Sequence, residues 1–144
     1  MNDRNTEFLT KIYQNARMGC ESISYVSEKS KDEQLKQSLL KQHEQYNGVA
    51  QDATKLLNEN GAPAKEKGPV SKAMLWSGVQ MNTMTDKTSD HIAEMMIQGS
   101  MMGVIDLSRN LKRYNDTDKA VQKLGEKLIE VEENNIQRMK SFLC

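Results

Sequence analysis

The groups able to do chemistry in this 144-residue chain are few. There are two histidines, His43 and His91, and two cysteines, Cys20 and Cys144. Glu21, Glu44, Glu94 and Glu133 fall one in each of four segments with helical periodicity, His43 standing beside Glu44 and His91 one turn before Glu94. Carboxylates from several helices, joined by imidazole nitrogen, are a donor set for Fe, Mn or Zn, so these six residues are the candidate metal ligands. His91 and Glu94, three apart, share a helix face and are the best-placed local pair. Two facts weigh against such a site. Measured from the turn between the first two helices, Glu21 and Glu44 stand roughly eight and fourteen residues away, about 9 Å apart along the axis. His91 and Glu94 lie near the start of their helix, where the positive end of the dipole favours anions. The alternative for each residue is a solvated place on an amphipathic helix.

Of ten methionines, Met74, Met81, Met84, Met95, Met96, Met101 and Met102 crowd into one stretch. They suit an adaptable contact surface or gap-filling core, and Met81-x-x-Met84 is one spacing that could serve Cu(I). Cys20 has no Lys, Arg or His adjacent in sequence to lower its pKa and reads as a buried, inert thiol. No Gly-rich phosphate loop, Gly-x-Ser-x-Gly elbow, Cys-x-x-Cys pair or His-Glu-x-x-His run occurs, so no catalytic residue is expected.

Composition narrows the partners. Twenty basic residues balance twenty acidic ones. Nucleic-acid or acidic-membrane binding usually shows as a basic excess. The longest apolar run is the four residues Ala73 to Trp76, against about 20 needed to span a bilayer. The first residues contain no apolar stretch of the secretory kind, and two cysteines build no disulfide framework. The expectation is a cytoplasmic domain with neither nucleic acid nor membrane as partner.

The elements that must position these groups follow from punctuation and period. Pro63 and Pro69 are the only prolines, which leaves residues 1–62 and 70–144 free to be helical. Apolar residues at Phe8, Leu9, Ile12, Ala16, Gly19, Ile23 and Val26 predict a first helix from about Asn5 to Ser27. Ser30-x-x-Glu33 fits a capping box opening a second helix, with Leu35, Leu39, Tyr46, Val49, Ala53 and Leu56 as its stripe and Gly61 as its stop. Residues 61–70 read as a linker. Ser71 can cap a short helix to Met84, and a long helix follows to about Arg113. After a turn at Tyr114-Asn115, Asp116 can cap a last helix bearing Val121, Leu124, Leu128, Val131, Asn135, Met139 and Phe142. One domain is expected, built from a hairpin over 5–60, a connection over 61–87 and a hairpin over 88–143. Four stripes of this kind bury one another in an all-α four-helix bundle. The long connection permits up-down-down-up order, while up-down-up-down with a decorated loop stays open on spacing alone. Two features hint at a repeat of hairpins: Gly19 and Gly99 at similar positions, and Leu35, Leu39, Leu40 and Glu44 matching Leu124, Leu128, Ile129 and Glu133 at one constant offset.

Several short motifs carry a resemblance. They are Gly19-Cys20-Glu21-Ser22-Ile23-Ser24-Tyr25, Glu33-Gln34-Leu35-Lys36, Asn60-Gly61-Ala62-Pro63, the segment around Trp76, and Ile97-Gln98-Gly99-Ser100. In these and in element order the chain resembles the ferritin-like superfamily, closest to a branch of small bacterial four-helix proteins of unknown function. The resemblance implies up-down-down-up order. It also directs attention to a di-iron centre, which takes a Glu from each of two helices and Glu-x-x-His from each of the others. That ligand set is incomplete here. Leu40 and Thr88 stand three before the histidines, Glu132 and Glu133 are followed at that spacing by Asn135 and Ile136, and Ser100 stands where a Glu often follows the third-helix Gly. The expectation is therefore a non-catalytic bundle with no cofactor. Its alternative is an Fe- or Mn-binding oxidoreductase or iron-handling protein using a divergent site.

The third long helix is apolar on nearly every side, with Ile92, Met95, Met96, Ile97, Met101, Met102, Val104, Ile105, Leu107 and Leu111. A helix of that kind is covered on more than one side. Self-association through this Met-rich helix and the 71–84 segment is expected, with Gly99-x-x-x-Gly103 as a spacing that permits close approach.

Overall fold

The computed structural model describes residues 3–62 and 84–144. Four helices account for nearly all of them: α1 Asp3–Lys29, α2 Glu33–Glu59, α3 Ser89–Arg113 and α4 Lys119–Lys140. The stripes read from the sequence face inward. In α1 all seven expected positions are buried, and in α4 all but the half-buried Phe142. In α2 Leu57, rather than Leu56, completes the stripe. Each fully buried Leu, Ile or Phe contributes about 1.5–3 kcal/mol relative to exposure, so these stripes define how the helices meet. The expected helix over 71–84 lies, but for Met84, outside the described residues.

The caps refine the boundaries. Asp32, not Ser30, is the N-cap of α2: its carboxylate accepts from the backbone N–H of Gln34 (3.0 Å) and Leu35 (3.2 Å), while Ser30 Oγ accepts from the Asp32 N–H (3.1 Å). A carboxylate beside the positive helix end is the stronger acceptor there. Thr88 caps α3 through His91 N–H. Asp116 does not cap α4, because Arg4 Nε engages its carboxylate at 2.8 Å; Asp118 takes the N-cap place instead. Gly61, at φ +71°, supplies the left-handed step that ends α2, and the Ala62 N–H returns to the Leu57 carbonyl at 2.9 Å.

Polar contacts at the two ends settle the helix directions. At one end, Arg4 meets Asp116, and Asn5 Oδ1 accepts from the Asp118 N–H at 2.8 Å, so the start of α1 lies beside the α3–α4 turn. At the other, Ser89 Oγ donates to Asp32 at 2.7 Å and the Cys144 N–H donates to Asp90 at 2.8 Å. The N-termini of α2 and α3 therefore share an end with the C-terminus of α4. Helices α1 and α4 run one way and α2 and α3 the other: up-down-down-up. Within each hairpin the packing is extensive, α2 on α4 is the larger contact between hairpins, and α2 and α3 touch least.

Candidate functional site: a buried tyrosine–glutamate pair

The interior carboxylate is Glu132. It is the only buried Asp, Glu, Lys or Arg among the described residues, with 3% of its surface exposed. Its place follows from the helical period: Leu128, Glu132, Asn135 and Met139 continue one stripe at spacings of four, three and four, all facing the core. On α2 the same logic buries Leu35, Leu39, Gln42, Tyr46 and Val49. The antiparallel packing of α2 on α4 then sets Tyr46 opposite Glu132, and the Tyr46 hydroxyl donates to Glu132 Oε1. Ser100 Oγ of α3 donates to the same oxygen at 3.3 Å. Three helices thus converge on one carboxyl group.

Two glycines make the room. A Cβ on Gly19 of α1 would lie 2.7 Å from the Tyr46 ring, and one on Gly103 of α3 would collide with Glu132 Oε2. Each hairpin therefore repeats one device, a glycine on its first helix accommodating a large polar side chain on its second. The counterpart of Gly19 is Gly103 rather than the expected Gly99. Gly103 faces inward against Glu132, so the Gly99-x-x-x-Gly103 spacing does not form a surface for another molecule.

Burial governs the electrostatics. It raises Glu132 to about 7, the hydrogen bonds from Tyr46 and Ser100 pulling the other way. Burial, and then the charge on Glu132, drive the Tyr46 phenol well above its ordinary range, so it remains a proton donor. One turn away, Gln42 is fully buried and Asn135 is 1% exposed. Neither amide makes a well-formed side-chain hydrogen bond, although Asn135 is close enough to Tyr46 to favour its anion slightly. The arrangement can hold or release one proton at Glu132 in a water-poor interior.

The six expected ligands lie elsewhere. Glu21, Glu44, Glu94 and Glu133 are all exposed, and His43 and His91 are half-buried. Glu133 projects outward one residue after the inward-facing Glu132. Glu94 is within reach of Gln98 on its own helix, and His91 uses its backbone N–H on the Thr88 cap. No three His, Cys, Asp or Glu side chains gather into a metal-binding group among the described residues. Cys20 is buried, its Sγ 3.8 Å from the His43 carbonyl, and burial raises its pKa despite Arg17 nearby. Met95 and Met96 are core, whereas Met101 is half exposed. Met81 of the Met81-x-x-Met84 spacing lies outside the described residues. No described helix is long and apolar enough to cross a membrane.

Fold and centre together define an all-α four-helix bundle of up-down-down-up order with a closed polar core. Among solved structures it is similar to the crystal structure of a DUF305 fragment from Deinococcus radiodurans, with a TM-score of 0.75 over 96% of this chain and 93% of that one. At 13% identity the likeness is one of fold. No protein-family model and no curated protein matches the chain.

Proposed function

We propose that this protein is a non-catalytic, self-associating bundle of ferritin-like descent that acts in the cytoplasm through contacts with its own kind. The observation that carries the reading is on the outside of α3. Met101 and Ile105, one turn apart, are each 51% exposed, with Ile97, Met102 and Val104 half-buried around them. Single exposed apolar residues are ordinary; a contiguous stripe is not. Leu40 on α2 is more exposed still, but Gln37, Lys41 and Glu44 surround it on that face. The centre of the bundle supports the non-catalytic half of the reading. The interior space that a di-iron centre between four helices would need is filled here by Tyr46 and Glu132, pressed against two glycines. Cys20 and Cys144 are both free thiols, which suits a reducing compartment.

Sedimentation velocity over a concentration series tests the association, with a reversible rise in mass expected. Metal analysis of protein purified without chelator tests the other half. Stoichiometric iron or manganese would overturn the non-catalytic reading in favour of an Fe- or Mn-dependent protein with a divergent carboxylate site.

A further inference from the structure

The outer face of α3 has a polarity along its length. From the N-terminal end it carries Asp90, half-buried with its Oδ1 accepting from the Cys144 N–H, and then the exposed Glu94, Gln98, Met101, Ile105, Arg109 and Lys112, at spacings of three and four that place them on one side of the helix. Its first half is acidic, its middle apolar and its last half basic. We infer that α3 pairs with α3 of a second copy, antiparallel, about a twofold axis passing Met101. This rests on the self-association proposed above and specifies its geometry.

In such a pairing, residues equidistant from Met101 face one another. Met101 meets its own copy, and Ile97 meets Ile105. Glu94 meets the Ser108–Arg109 step, and Asp90 meets Lys112. An isologous contact uses each pair twice, so every favourable match is doubled. At the shallow crossing of about 20° that bundle helices favour, the charged pairs stay within reach on either side of the apolar middle. A parallel pairing would instead set Asp90 and Glu94 against themselves and Arg109 and Lys112 against themselves, like charges that oppose association. One helix per copy buries an area at the low end for specific complexes, so the dimer is reversible and concentration-dependent.

The test uses surface positions in the full chain with Cys144→Ser, so that Cys20, which is buried, is the one remaining native thiol. Met101→Cys lies on the axis and is expected to give a disulfide-linked dimer with diamide. Glu94→Cys and Ser108→Cys, mixed, are expected to cross-link to each other and each poorly to itself. Glu94→Arg is expected to weaken association about tenfold, since two symmetry-related contacts change sign, and Glu94→Arg with Arg109→Glu to restore it to within about threefold. A dimer in which Met101→Cys fails to link and the double charge exchange fails to restore association overturns this geometry while leaving self-association standing. A monomer at every concentration overturns both. In that monomer, shielding of the thiol introduced by Met101→Cys from an alkylating reagent would assign the stripe to residues 63–83 of the same chain, and full reactivity would leave it uncovered.

Discussion

Glu132 is a carboxyl group whose charge the fold opposes, and this has a measurable sign. Unfolded, its pKa is near 4.5; folded, it rises to about 7. Between those values the native state holds more protons than the unfolded chain, so stability falls as pH rises. The contribution is complete below about 4.5 and lost as pH passes about 7, a change of roughly 3 kcal/mol. Urea midpoints measured from pH 5 to 8 should decline in the native protein and stay nearly level in Glu132→Gln. Tyr46→Phe removes a donor from the buried carboxyl, and should cost about 1–3 kcal/mol with a steeper decline toward high pH, since Glu132 then resists ionisation further. Gly19→Ala adds a methyl against an aromatic ring that cannot yield freely, and an overpacking loss of about 1–3 kcal/mol is expected by thermal unfolding, partly offset by helix propensity. The sequence carries a signal for this centre. Glu132 and Gln42 interrupt two apolar stripes at core positions, but the constant-offset match of Glu44 with Glu133 points to the outward-facing neighbour instead.

The helices themselves were legible because their causes are local. Period, proline placement and cap chemistry act within a few residues, and α1 and α4 bury the stripes those features indicate. Capping was less so, since several residues near each helix start could accept the free N–H groups. Asp32 prevails over Ser30 because its second oxygen also accepts from Ser89, a residue 57 positions away. These bonds hold the Asp32 carboxylate below the usual carboxylate range. Asp32→Ala should cost about 1 kcal/mol in thermal or chemical unfolding, whereas Ser30→Ala should cost less. Asp116→Ala should leave α4 helicity by circular dichroism unchanged, because its carboxylate serves Arg4 rather than the helix start.

At the scale of the molecule, helix direction is the decisive property. The N-termini of α2 and α3 meet through Asp32 and Ser89. In an up-down-up-down bundle they would stand a helix length apart, about 40 Å for 27 residues. Asp32→Cys with Ser89→Cys, in a Cys144→Ser background, should therefore form an intramolecular disulfide readily under mild oxidation. A pair at Asp32 and Lys119, at opposite ends of the bundle, should not. The same arrangement explains why the polar centre joins the two hairpins. Tyr46 belongs to one and Glu132 to the other, so their hydrogen bond forms only when the hairpins dock.

By itself the amino-acid sequence determined four amphipathic helices, two tight hairpins and an all-α bundle, because periodicity, turn length and caps are properties of neighbouring residues. It also narrowed the direction of the second hairpin to two possibilities. Only the tertiary structure decided between them, through contacts such as Arg4 to Asp116 that span most of the chain. It also decided which carboxylate is inside. A helix turns about 100° per residue, so Glu132 and Glu133 differ in the sequence by one position and in the fold by nearly everything: one is enclosed beside Tyr46 with its pKa raised to about 7, the other is in solvent. That difference is made by what packs around each side chain, and packing is settled only where distant segments meet.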